Sequence, residues 1–282
     1  MLTIFAIIIR ICSNSLSNVF QKRLTKGGLN SFAVNFYTYI GLTILSIPLI
    51  KNISPLTPIV LTNAIIGGIF GALGNYYLIK ALSRGELSIL GPINAYKALV
   101  AMIFAIFLAG EIPSIIGILG IGLLIFGSYI IFNSTKEGFS IELFKRKDIR
   151  YRIYALIFTA IEAVFIKNVI NNSDILTSFI LWCVFGAIFA YILILKHKIK
   201  FVKLNTTKII HLISLVATAG IMQFSTNFVF EKMNVSYALA LFQLSAILNV
   251  ILGWKIFNEK DLLKKLIGSF IMVLGAAILI IF

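Results

Sequence analysis

Three ionisable side chains stand where such groups are costly. Arg10, Lys97 and Glu162 each fall near the middle of a long apolar run. At membrane depth a charge costs about 2.5–3.5 kcal/mol or more, and it almost always faces a cavity or a partner. Groups so placed bind a charged solute, carry a proton, or neutralise one another. Lys97 follows Pro92 by five residues, and proline tends to kink a helix because it lacks an N–H. Asn94 lies three residues before Lys97, so both can share one helix face. One reading has this pair facing a central cavity, with the ammonium meeting an anionic substrate group. The other has Lys97 in a buried structural pair with Glu162. Arg10, Asn14 and Asn18 recur at i, i+4 and i+8, one polar stripe on an apolar helix. The stripe is read as cavity-lining, and its alternative is helix–helix glue. Glu162 suits a coupling proton, or equally the counter-ion of Arg10 or Lys97.

Uncharged polar residues extend the set. Asn75 and Gln223 are related by an offset of 148 residues, and Asn227 lies one turn beyond Gln223. Gln243 and Ser245 stand in the ninth apolar run, where the same offset pairs Ser245 with Lys97. All are candidate substrate contacts. Asn35, Tyr39 and Trp182 are weaker candidates, since aromatics at such depth more often pack.

Ten apolar runs near the 20 residues of a spanning helix carry these residues: 3–23, 31–50, 57–80, 86–109, 114–132, 152–170, 175–195, 208–230, 235–257 and 263–282. The chain of 282 residues is 60% hydrophobic and 12% charged, against about 25% charged in soluble proteins. It is therefore expected to be a multi-pass protein of the cytoplasmic (inner) membrane. The net charge of +15 is spread over short loops, which sets orientation and argues against nucleic acid. The basic residues favour the loops after the odd-numbered runs, such as Lys22-Arg23, Arg84 and Lys145-Arg146-Lys147. Those loops are expected in the cytoplasm. Cys12 and Cys183 lie in apolar runs and are read as packing residues.

The chain repeats itself. Adding 148 takes Ser88 to Ser236, Ala98 to Ala246, Glu111 to Glu259, Gly120 to Gly268 and Gly127 to Gly275. Ser17–Lys22 resembles Glu162–Lys167 at an offset of 145. A fixed offset marks a duplicated unit. The division is 1–132, a basic linker at 133–151, and 152–282. Five runs per half is an odd number, so the halves enter the membrane in opposite senses. Inverted repeats of this kind belong to transporters whose site lies at the repeat interface. The fold class expected is all-α polytopic membrane protein, with ten transmembrane helices in two inverted five-helix repeats around a central cavity. The four paired glycines are read as close helix packing or a dimer face, and Glu111 and Glu259, at helix ends beside turns, as serving in capping or topology.

The motifs that carry a family likeness are Asn75–Leu82, Gly85-Glu86-Leu87-Ser88, Pro92–Lys97, Gly110-Glu111-Ile112-Pro113 and Gly120, with Ser236-Tyr237-Ala238, Asn258-Glu259, Gly268 and Gly275 in the second half. Through them the chain resembles the drug/metabolite transporter superfamily, and most closely its EamA-like branch. The resemblance implies a secondary transporter working by alternating access. Its substrate is expected to be a small polar metabolite such as an amino acid or organic anion, with export the expected direction. A multidrug or cation exporter and a lipid-head flippase are the alternatives within the same superfamily. An enzyme is not expected: His197 and His211 lie in or near one basic loop, and no H-E-x-x-H spacing exists. No cofactor or metal is expected, and no P-loop is present. The expected partners are a small-molecule substrate, the lipid bilayer and a coupling proton or ion, with the chain a monomer or homodimer.

Overall fold

The computed structural model describes residues 1–97, 99–100 and 115–281. They form α1 (Leu2–Lys26), α2 (Ser31–Ser46, continued by a 3-10 stretch Ile47–Asn52), α3 (Pro58–Leu82) and α4 (Leu87–Leu90), which a 3-10 turn (Pro92–Tyr96) follows. Then come α5 (Ile115–Phe132), α6 (Ile141–Lys145), α7 (Lys147–Asn172), α8 (Ile175–Lys196), α9 (Thr206–Lys232), α10 (Val235–Phe242), α11 (Ser245–Phe257) and α12 (Leu262–Ile281). No strand occurs among the described residues.

Turn chemistry explains the helix starts. Asn30 accepts from the Phe32 N–H at 2.9 Å, Asp174 from Thr177 at 2.9 Å, and Asn205 from Lys208 at 2.9 Å. These are side-chain N-caps that satisfy otherwise orphaned amides. Thr57 caps α3, with Pro58 at the first helical position, where its missing N–H is harmless.

Eight helical segments among the described residues are long and apolar enough to cross a membrane. The last of them joins α10 and α11 across Tyr237–Phe257. The fourth sequence span appears only at its start. Beyond Lys97 it lies almost wholly outside the described residues, as do Ala98, Glu111 and the Gly110–Pro113 turn. Helix α7 begins at Lys147, so Arg152 sits inside a membrane-length helix.

The halves interlock. Helix α1 packs on α9 and α3 on α7; α2 packs on α8, α5 on α12, and α4 with its 3-10 turn on α11. Each helix of the first half thus finds a principal partner in the second. At the α5–α12 contact a side chain on Gly127 would meet the Gly268 carbonyl at 2.6 Å, and one on Gly268 would meet the Gly127 carbonyl at the same distance. One on Gly275 would meet the Gly120 carbonyl at 2.7 Å. Gly127 opposes Gly268 and Gly120 opposes Gly275, so the two helices run antiparallel. The glycines face each other inside one chain, which accounts for them without a dimer face. Cys183 is buried, but Cys12 is exposed on α1 and does not pack in the interior.

Helical geometry is interrupted in two of the spans, near the middle of the ninth and near the start of the fourth. In the ninth sequence span the α-helix stops at Phe242 and restarts at Ser245, with short-range bonds such as Gln243 N–H to Ala240 O at 3.0 Å across the gap. In the fourth, α4 ends at Leu90 and Pro92 opens a tighter turn. Proline at that point cannot donate to the preceding turn. Non-helical backbone at this depth is tolerated where it lines a cavity or is buried in protein.

Candidate functional site

Both breaks border one internal cavity of about 120 Å³. It is smaller than the roughly 300–1,000 Å³ of drug-sized pockets. Nine of the residues singled out from sequence line it: Arg10, Asn14 and Asn18 from α1, Asn75 from α3, Asn94 and Lys97 from the fourth span, Glu162 from α7, Gln223 from α9 and Ser245 from α11. Tyr39 and Trp182 line it as well.

Two site candidates stand behind the wall. Gln243 is buried, accepts from Asn94 Nδ2 at 3.0 Å and donates to the Leu239 carbonyl at 2.8 Å. It orients Asn94 and does not reach the cavity. Asn227 is fully buried beside Gln223. The amide orientation that satisfies both its ends accepts from the Phe179 N–H at 3.2 Å and donates to the Gln223 carbonyl at 3.3 Å. Asn35 is likewise a supporting residue: it donates to the Ala72 carbonyl at 3.0 Å and accepts from Asn75 at 2.8 Å.

Each guanidinium in the cavity is tied to a broken helix of the other half. Arg152 Nε donates to the Leu90 carbonyl at 2.8 Å, at the point where α4 ends. The Arg10 guanidinium lies 4.0 Å from the centroid of the Phe242 ring and reaches the Phe242 carbonyl at 3.5 Å. Carbonyls released by the breaks thus receive cationic donors. Arg10 Nε itself is buried with no hydrogen-bond partner among the described residues.

The charges are not paired off. Among the described residues no carboxylate lies within ion-pair distance of Arg10, Lys97 or Arg152. The structural Lys97–Glu162 pair is therefore not formed, nor is the Arg10–Glu162 pair. Glu162 instead accepts from Trp182 Nε1 at 2.6 Å. Gly71 makes room for it, since a side chain there would collide with Glu162 Oε1. Trp182 is set in turn by Tyr39, whose ring centroid is 4.8 Å away in an edge contact.

Arg152 escaped the sequence reading because its helix was expected to start at that residue. A signal was available: residues 152, 159, 162 and 166 recur on one helical face, and all four line the cavity. Gln21, Thr38, Thr159 and Thr226 also line it and were missed. Threonines and glutamines are common in helix contacts and carry no charge to mark them.

A buried ion pair joins the halves at one end of α1. Lys22 Nζ meets Glu259 Oε1 at 2.6 Å and donates to the Gly85 carbonyl at 2.8 Å. The same carboxylate accepts the N–H groups of Leu87 and Ser88, each at 2.8 Å, at the start of α4. Asn258 sets this up by adopting a left-handed conformation (φ 54) at the end of α11, a conformation asparagine tolerates. The turn swings Glu259 back over Gly253, where any side chain would strike the carboxylate. Burial works against the charge on Glu259, but the Lys22 ammonium and the accepted hydrogen bonds hold it below the usual carboxylate range. Lys265 and Glu86 form a second ion pair between the halves beside it. Elsewhere between the halves Ser54 donates to Asp174, and the Ser54 N–H donates to Thr177 Oγ1 at 2.8 Å. Lys167 donates to the Phe230 carbonyl.

A model of the EamA-like transporter family matches the chain twice, over residues 1–133 and 149–281. Among curated proteins none matches. One solved structure, described as a crystal structure of a protein, has a TM-score of 0.68 at 15% identity, over 97% of this chain and 95% of its own. Likeness at that identity speaks for the fold alone. The two family matches take in nearly the whole sequence, and the chain belongs to the EamA-like transporter family.

Proposed function

We propose that the protein is a secondary transporter of a small polar solute, an organic anion or amino acid, moved outward across the cytoplasmic membrane by alternating access. The observation that carries this reading is the buried, charged cavity at which two broken helices from different halves meet. Discontinuous helices at a repeat interface are how many transporters build a midplane site. Arg10, Asn14, Asn18, Asn75, Asn94, Lys97, Glu162, Gln223 and Ser245 are the proposed substrate contacts. Gln243 and Asn227 support them from behind.

The architecture behind the proposal is ten spans in two inverted five-helix repeats, 1–132 and 152–282, joined by the linker at 133–151. The antiparallel glycine register of α5 and α12 supports the inversion. The ion pair Lys22–Glu259 lies at the end rich in lysine and arginine, which the positive-inside rule assigns to the cytoplasm. By the sequence offsets Lys167 corresponds to Lys22 and Glu111 to Glu259. Alternate making of the two pairs would open one face while closing the other. Glu162 is the proposed site of a coupling proton. A cavity with more cations than carboxylates, and of this size, disfavours the cation-exporter and lipid-flippase readings.

The test is flux in proteoliposomes against a panel of amino acids, organic anions and cations, with and without a pH gradient. Saturable movement of a small anion or amino acid, abolished in Lys97→Ala, is expected. Normal transport by Lys97→Ala at wild-type expression would remove Lys97 from the site. Absence of any solute flux, together with lipid scrambling, would replace the reading with a flippase.

A further inference from the structure

Among the described residues the cavity is lined by three cationic side chains, Arg10, Lys97 and Arg152, and by one carboxylate, Glu162. None of the three has a carboxylate partner among the described residues, and no described residue accepts a hydrogen bond from Lys97 Nζ. The backbone carbonyls on the two guanidinium groups satisfy donors but supply no countercharge. The described lining of the cavity therefore carries a formal excess of two positive charges among side chains that are themselves buried. Buried charges persist when something neutralises them. The guanidinium groups offer planar forks that match carboxylates, and they enter from opposite halves, Arg10 from α1 and Arg152 from α7. A cavity of about 120 Å³ is well below the roughly 300–1,000 Å³ of drug-sized pockets. It holds a compact solute and no drug-sized one.

From this we infer that the substrate is a small organic dianion, of which a short dicarboxylate is the simplest form, and that Arg152 is a specificity-determining residue. The inference rests on the transporter reading for its context, but its binding test does not. Each negative group of the ligand meets cationic donors, and Arg152 supplies the charge that separates a dianion from a zwitterion or a monoanion. Glu162 accepts from Trp182 through one oxygen, and among the described lining residues a zwitterion's ammonium finds one carboxylate against three cations.

The experiment is equilibrium binding to purified protein in nanodiscs, read by intrinsic tryptophan fluorescence and by thermal shift. The probes are succinate, inorganic phosphate, lactate and alanine. Succinate is expected to saturate with at least tenfold higher affinity than lactate or alanine, and phosphate tells a compact inorganic dianion from a dicarboxylate. Arg152→Gln is expected to weaken succinate at least tenfold while changing lactate less than threefold. Arg152→Lys, which keeps the charge, restores most of the preference. Should Arg152→Gln fail to fold, Lys97→Gln gives the same contrast. Alanine or lactate binding as tightly as succinate overturns the inference, and so does succinate affinity unchanged in both Gln variants. Preferential binding of phosphate over succinate would overturn the dicarboxylate form. A protein that binds succinate but moves no solute defeats the transporter reading alone. One that moves alanine in preference to succinate defeats only this inference.

Discussion

Glu259→Gln is the most direct test of the ion pair that joins the halves. The wild-type carboxylate does three things at once: it pairs with Lys22 at 2.6 Å and accepts two amides of α4 at 2.8 Å each. Lys22 and Glu259 are 2% and 8% exposed, so solvent does not screen the pair. Removing one partner of a buried ion pair typically costs about 3–5 kcal/mol, because the other charge is stranded. Glutamine keeps one acceptor oxygen, so Glu259→Gln should fall near the low end of that range. Glu259→Ala should cost about 1–3 kcal/mol more, since a buried N–H of α4 then lacks an acceptor. Lys22→Met combined with Glu259→Gln strands no charge and should lose less than the two single changes added together. The readout is a double-mutant cycle on unfolding in mixed micelles. A coupling energy of about 1.5–3 kcal/mol is expected, well above the roughly 0.5 kcal/mol within which independent sites add. The pH dependence has a definite sign. Folding lowers the affinity of Glu259 for its proton, so its contribution is complete above the ordinary carboxylate range and is lost as pH falls through the lowered value. That acid-side loss should be missing in Glu259→Gln. Additive single changes, with the same acid profile in wild type and variant, would refute the argument.

Further outcomes follow from the same geometry. Gly268→Ala should destabilise by about 1–3 kcal/mol, the usual range for overpacking, because the added carbon meets the Gly127 backbone oxygen at 2.6 Å. Melting unchanged from wild type would show the helices free to separate. Gly71→Ala should displace Glu162 and abolish the effect of a pH gradient on flux, read by gradient-driven uptake against counterflow. An equal effect on both would assign Glu162 a structural role. Glu111→Gln and Glu259→Gln should bias the cavity toward opposite sides, read by impermeant thiol labelling of a cysteine placed at Ser245. Labelling from the same side in both variants would remove the paired closures. Single cysteines at Lys198 and Asn52 should label from the cytoplasmic and external sides respectively, and the reverse would invert the proposed orientation.

Most of the cavity could be read from sequence because charge and amide groups are conspicuous in apolar helices. Arg10, Asn14 and Asn18 needed only the period of a helix, and the structure places all three on the cavity. Gln243 and Asn227 look the same in sequence, yet they bond to Asn94 and to the Phe179–Gln223 backbone. Which polar side of a broken helix turns inward depends on the break, and the break in the ninth span has no proline to announce it. Arg152 was hidden by a boundary: a basic residue at the edge of an apolar run looks like a loop residue until the helix is seen to start at Lys147. The Lys97–Glu162 pair was reasonable on charge alone, but Trp182 takes the carboxylate. The role of Glu259 as a cap was legible from its place beside a turn, whereas its link to Lys22, 237 residues away in sequence, was not.

The glycine contact between α5 and α12 has a symmetry of its own. The repeat offset takes Gly120 to Gly268 and Gly127 to Gly275, and the contact pairs Gly127 with Gly268 and Gly120 with Gly275. Exchanging the two halves therefore returns the same pairs of residues. A contact that maps onto itself in this way is isologous, the form that joins two identical subunits across a two-fold axis. The seam is thus what a single repeat unit would use to bind a second copy of itself. The linker that now joins the halves makes their association intramolecular. It also frees each half to change alone, and Lys97 opposite Ser245, with Glu162 opposite Ser17, is the trace of that freedom in the cavity.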